Sequence, residues 1–270
     1  AIGDVQQPQA VPGHIDYNLW CGPRPLVPLR RESFHYDWHW FWEYGNGDMG
    51  NRVIHNIDDV HHIMQMGDTQ PTRMMGVGGR FKYEDDATTP NTEVVVMDWD
   101  VPLIFGSRNM NLVREGESIG AASLYSRFGR NNRFVNIIKC EKGVIEVRRG
   151  GGNVYDNDGK KLHGIDGDGG GGHLRNFFEA VKAHDASKLN APINESHRSS
   201  SMMHTGNISY RIGRPASVDE VHSQVAEFEE AKEAWQQTVE HLERHEVDLD
   251  KEKPTLGPWL TFDPDREVFT

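Results

Sequence analysis

Histidines, carboxylates, glycines and aromatic residues crowd the stretch from His35 to His62. Their spacing admits three kinds of chemistry. The first is phosphate binding. Gly45, Gly47 and Gly50 form a Gly-x-Gly-x-x-Gly pattern, the spacing of a dinucleotide-binding turn. The second is metal ligation. His35, Asp37 and His39 alternate along one segment, and His55, Asp59 and His62 recur at helical spacing, so the two sets together offer nitrogen and oxygen ligands. The third is ring stacking, because Trp38, Trp40 and Trp42 can lie against the C–H faces of a sugar. Further along, His197 and His204 share a helix face with Ser200 and Ser201.

Each reading has a plainer rival. A dinucleotide turn needs an aliphatic strand before it, a helix after it and an acidic residue about 20 positions on. Only the helix is convincing here. The preceding segment, FHYDWHWFWEY, is rich in Trp and His, and Asp48 sits inside the turn, where its carboxylate would repel a pyrophosphate. The glycines then serve a tight turn and close backbone packing. Spacing alone does not single out a metal site. An aromatic cluster is more often core than a stacking platform, and small residues around His204 suit helix packing.

The elements that must position these residues follow from the hydrophobic pattern. Pro8, Pro12, Pro23, Pro25 and Pro28 make residues 1–33 an extended arm. Residues 34–44 read as a strand or buried loop. Ile54, Ile57, Val60 and Met64 mark an amphipathic helix over about 51–66. Residues 72–150 hold short β-rich runs, among them TEVVVMDWD, LIFGSRNM, SLYSRFG, FVNIIKCE and GVIEVRRG, and Asp158-Gly159 marks a hairpin. Helices are expected over 173–185 and 195–212, and one long helix over 218–246. The fold expected is α+β: one large, mostly antiparallel open sheet with helices packed on one face. Residues 34–246 form the domain, and 247–270 close the chain as an extended tail.

Composition narrows the partners. The chain has 270 residues and a formal net charge of -12, which disfavours nucleic acid, whose phosphates reward a basic face. Mean hydropathy is -0.67 and no run of about 18 apolar residues exists, so no membrane helix is expected. Two cysteines, Cys21 and Cys140, are too few for a disulfide framework. The start AIGDVQQPQA carries no signal pattern and reads as a trimmed or processed chain, which leaves the compartment open between cytoplasm and export.

Taken in order, FHYDWHWFWEYGNGDMGN, TPNT, HLRNFFEAV, SSSMMHTGNISYRIGR and TLGPWLTFDP resemble the Gfo/Idh/MocA oxidoreductases, in the branch abundant in planctomycetes. The resemblance spans essentially the whole chain and corresponds to the C-terminal half of such an enzyme. It implies a substrate-binding and oligomerising domain. NAD or NADP is held in that family by an N-terminal Rossmann domain with a Glu-Lys-Pro motif. Neither has a matching place here; Glu252-Lys253-Pro254 lies in the tail. The chain alone is therefore expected to bind no nicotinamide cofactor and no metal. The expected partners are a sugar or sugar derivative and further copies of the chain, joined through the open sheet face, with neither nucleic acid nor membrane among them.

The resemblance also implies roles. His55 falls on the family's catalytic histidine, a base for a sugar hydroxyl while hydride leaves to the nicotinamide. Asp58, one turn on, would orient the imidazole. His35, Trp38, His39, Asn51 and His204 are expected around the substrate. Two departures stand out: Asn51 replaces an aspartate common in the family and cannot act as a base, and Val53 replaces a glycine and adds bulk. Two alternatives remain open at this point. One is a cofactor-free or metal-assisted lyase or hydratase acting on an oxidised sugar. The other is a non-catalytic carbohydrate-binding scaffold.

Overall fold

The computed structural model describes residues 2, 7–110, 112–114, 117–119, 135–148 and 150–270. The strand expected at 123–129 lies outside the described residues. Three strands form the centre: β1 (Arg73–Gly79), β2 (Thr92–Asp98) and β3 (Pro102–Arg108). β2 pairs antiparallel with both neighbours, from Thr92 against Arg108 to Asp98 against Pro102 on one side and from Thr92 against Gly79 to Asp98 against Arg73 on the other.

The closing segment is threaded into this sheet. β11 (Thr255–Leu256) and β12 (Leu260–Asp263) pair with the two ends of β1 on the edge away from β2. β10 (Arg214–Pro215) joins β11, and β13 (Val268–Phe269) joins β12, giving seven strands. A second sheet runs β6 (Asn136–Cys140), β7 (Gly143–Arg148), β8 (Gly151–Tyr155) and β9 (Lys161–Asp166), while β4 (Leu112–Arg114) and β5 (Glu117–Ile119) form a separate pair. All described strand pairs are antiparallel. The β8–β9 hairpin turns at Gly159, whose φ of 81° suits the glycine that the sequence places there.

Helices α1 (Tyr17–Cys21), α2 (Ile54–Ile63), α3 (His173–Ala183), α4 (Ile193–Arg211), α5 (Val218–Gln224) and α6 (Glu229–Arg244) complete an α+β fold. Side chains alternate across a strand, so β2 splits its apolar residues between two cores. Val95 and Met97 join Met74 and Phe105 under α2 and α4, where Ile57, Val60, Met202 and Met203 meet them. Val94 and Val96 join Met75 and Val77 on the opposite side, under Val221 of α5 and Ala231, Trp235 and Val239 of α6. The expected helical layer is therefore matched by a second one on the other face. The unbroken run Val94-Val95-Val96-Met97 suits a strand buried on both sides.

The long helix expected over 218–246 is two helices. The stripe Val221, Val225, Phe228 does keep helical spacing, but Phe228 adopts extended backbone angles and caps α6. Its ring packs 5.9 Å from that of Trp259, and the Arg73 guanidinium lies over both rings. Tertiary packing of one aromatic residue thus outweighs local propensity. The aromatic segment, expected as a strand or a buried loop, forms a 3-10 turn, Asp37–Trp40, with Asp37 and Trp40 buried.

Most of the exposed apolar surface lies away from the main sheet. Leu174, Phe177, Phe178 and Val181 form the apolar stripe of α3, and each is more than half exposed. Leu162 and Ile165 of β9 are exposed beside them in the sequence.

Candidate functional site

The glycine turn is shaped by close approach. A Cβ at Gly45 would lie 2.5 Å from the His39 carbonyl oxygen, and one at Gly47 would lie 2.8 Å from Cβ of Thr89. Gly47 also has φ of 62°. A Cβ at Gly50 would meet Cβ of Asn46 at 2.6 Å. The turn is thus packed on the aromatic segment and on the β1–β2 connection. Asp48, at its centre, is buried. This is no cradle for a pyrophosphate: its glycines face protein, and the buried group facing inward is a carboxylate.

A π-helical turn, Met49–Val53, leads directly into α2. Such turns are uncommon and recur at functional sites. Here it drops Met49 and Val53 into the core and leaves His55 exposed in the first turn of α2, with Ile57 and Val60 buried behind it. Asn51, within the π-turn, is half-buried. Asn56 reaches Oδ1 of Asn136 at 3.0 Å and ties the start of α2 to β6 of the second sheet.

Asp58 is exposed, and its Oδ1 accepts a 2.8 Å hydrogen bond from the Ser199 hydroxyl of α4. Asp59 is half-buried and His62 exposed on the same helix. His61, which was not singled out in the sequence, is the buried histidine of α2; burial holds its pKa below the ordinary histidine value, partly offset by Glu195 and Asp58.

His35, Trp38 and His39 form a local group. The Trp38 indole donates to the His35 carbonyl at 3.1 Å, and the His39 ring stacks on Trp38 with centroids 3.9 Å apart. Nδ1 of His39 bonds to the Tyr36 carbonyl. Asp37 accepts from the Ser33 backbone at 2.8 Å. His204 lies on the outer side of α4; partial burial, and His197 second, hold its pKa below the ordinary value. His197 itself bonds Glu267 at 2.5 Å. Among the described residues, no group of three or more His, Cys, Asp or Glu side chains converges so as to hold a metal ion.

Residues 3–99 match the Gfo/Idh/MocA family model described as the oxidoreductase family, C-terminal alpha/beta domain. This stretch runs from the arm to the end of β2 and includes the aromatic segment, the glycine turn and His55. Among solved structures, the chain is similar to a putative oxidoreductase from Thermotoga maritima, with 13% identity over 67% of this chain and 49% of that one and a TM-score of 0.43. It is also similar to the WlbA dehydrogenase from Bordetella pertussis in complex with NADH and UDP-GlcNAcA, with 14% identity over 85% and 54% and a TM-score of 0.27. The chain spans about half the length of each. No curated protein matches it.

Two groups escaped the sequence reading. Ser199, the partner of Asp58, carries no signal in the sequence beyond its place in the serine run 199–201. Glu93 is the other. It is a fully enclosed carboxyl at the head of the aliphatic run of β2, and a charged residue inside such a run is the signal that marks it.

Proposed function

We propose that the chain is the substrate-binding part of a sugar-directed, NAD(P)-dependent oxidoreductase of the Gfo/Idh/MocA type, with His55 as the base that takes the proton from a sugar hydroxyl. The observation that carries the reading is the family match over residues 3–99 together with the place of His55 in it: exposed, on the first turn of α2, directly after a π-helical turn. A histidine suits that role because its pKa lies near working pH. Asp58, fixed by Ser199, is one helical turn away and can orient the imidazole or stabilise its charged form. His35, Trp38, His39, Asn51 and His204 are the proposed substrate contacts.

The nicotinamide is proposed to come from a separate nucleotide-binding domain, because the Gly-x-Gly-x-x-Gly turn at Gly45–Gly50 is closed by Asp48 and Thr89. Self-association belongs to the same reading and is supported by the exposed apolar residues of α3 and β9. A monomer mass in light scattering at micromolar protein would remove it.

The test is calorimetric titration of the chain with a panel of sugars, sugar acids and nucleotide sugars, then with NAD and NADP. A sugar ligand should bind the native chain, and His55→Ala should weaken it at least tenfold with an unchanged melting temperature. Equal binding by the variant, or no sugar ligand at all, would overturn the reading. Micromolar binding of NAD or NADP would overturn the separate-domain part of it.

A further inference from the structure

Two carboxyl groups lie together beneath the turn that leads to His55. Asp48 comes from the glycine turn and Glu93 from β2, and each is only 2% exposed. Neither Asp48 oxygen has a hydrogen-bond partner of ordinary geometry, and neither has Oε1 of Glu93. The groups around them are known. Ser107 stands opposite Glu93 in the β2–β3 register. Arg52 of the π-turn, Ser107, Asn109 and the Trp40 indole surround Asp48. Tyr210 of α4 lies near both Glu93 and Arg80. The sole cation of this set beside Asp48 is Arg52, whose Nη1 is turned to Asn109 at 3.3 Å.

An isolated buried carboxylate is expensive, and the usual escape is to remain protonated. Where two interact, ionising one opposes ionising the other, and their titration belongs to the pair. Burial raises the Asp48 pKa, with Arg52 drawing it partly back. Burial, and then the Asp48 charge, push Glu93 up to about 8.

We infer that at least one of Asp48 and Glu93 keeps its proton at neutral pH, and that this partly neutralised pair positions the π-turn that presents His55. The proton is needed because the pair is enclosed: two bare charges, one beside Ser107 and one opposite it in the strand register, would push the turn off β2. These are positioning residues, since neither is placed at substrate. The inference rests on the burial of both carboxyls and on Ser107, which faces Glu93 across the strands and stands beside Asp48, and it holds even if the sugar reading fails.

Carbon-13 carboxyl spectra of the intact chain, labelled at Asp and Glu, read the proton directly. One carboxyl, absent from Glu93→Gln or from Asp48→Asn, should remain protonated at pH 7 and titrate at least two pH units above the exposed carboxyls. The His55 ring signals should move with that titration. The raised Glu93 pKa means that its contribution to stability is full below about pH 4.5 and is lost as pH rises through about 8. Melting temperature should therefore fall between pH 6 and 9 in the native chain, and Glu93→Gln, which stays neutral, should flatten that fall. Both carboxyls ionised at pH 7 would overturn the inference. So would an unchanged pH profile in Glu93→Gln, or a His55 signal indifferent to the titration. Stabilisation by added Mg2+ or Ca2+ that Glu93→Gln abolishes would also overturn it, since a cation would then hold the pair.

Discussion

Ser199 and Asp58 join two helices: the Ser199 hydroxyl donates to Oδ1 of Asp58 at 2.8 Å, linking α4 to α2 one turn beyond His55. Ser199 is buried while Asp58 is exposed, so the bond fixes one oxygen and leaves the carboxylate open on its outer side. Ser199→Ala should cost about 1 kcal/mol in urea denaturation, the net worth of one such bond. Asp58→Asn, which can still accept from Ser199, should cost less than Asp58→Ala. Equal costs for the two Asp58 variants would show that the bond contributes nothing.

Gly206 of α4 rests on Val95 of β2. A Cβ there would lie 2.8 Å from both methyl carbons of Val95, and the facing Gly76 leaves no more room, since its own Cβ would lie 2.6 Å from the Gly206 carbonyl. Valine is stiff at χ1 and cannot swing aside. Gly206→Ala should destabilise by about 1 to 3 kcal/mol through overpacking. Combined with Val95→Ala it should cost less than the sum of the two changes, because the second makes space for the first.

Acid should act through His241. Burial first, then His245, Arg108 and Arg244, lower its pKa to about 3, against an ordinary value of 6.5. The folded state thus binds fewer protons than the unfolded state. The stabilisation from neutral His241 is present above about pH 6.5 and is lost as pH falls toward 3, on the order of 3 to 5 kcal/mol in all. Chemical denaturation across that range should show the loss, and His241→Gln should reduce its slope. A slope identical in the variant would assign the acid sensitivity elsewhere.

The N-terminus of α5 carries a capping box. Ser217 accepts from the Glu220 backbone at 3.2 Å, and Glu220 accepts from the Ser217 backbone at 2.8 Å. Ser217→Ala should cost about 1 kcal/mol. By contrast, Phe178→Ser on the exposed stripe of α3 should change the stability of a monomer by less than about 0.5 kcal/mol. A larger loss that grows with protein concentration would place that stripe in an interface.

The sequence by itself determined the local elements. Short β-rich runs and turn chemistry were enough for β1, β2, β3, β7 and the Asp158-Gly159 hairpin, because branched apolar residues suit a pleated buried strand and a tight hairpin needs a glycine at positive φ. The apolar spacing of Leu174, Phe177, Phe178 and Val181 likewise marked α3. The position of His55 on the helix after the glycine turn was legible too, whereas the π-turn that sets its orientation was not, because one shifted hydrogen-bond register leaves no compositional trace. Tertiary structure decided the rest. Phe228 leaves the helix because Trp259 and Arg73, distant in sequence, offer its ring a better place. The sheet is covered twice because residues after 217 return across it, and a hydrophobic pattern names a buried face without naming what buries it. Asp48 and Glu93 meet although 44 residues lie between them in the chain, and a carboxyl shifted by a neighbour's charge is a property of distance in space, which no spacing in a sequence encodes.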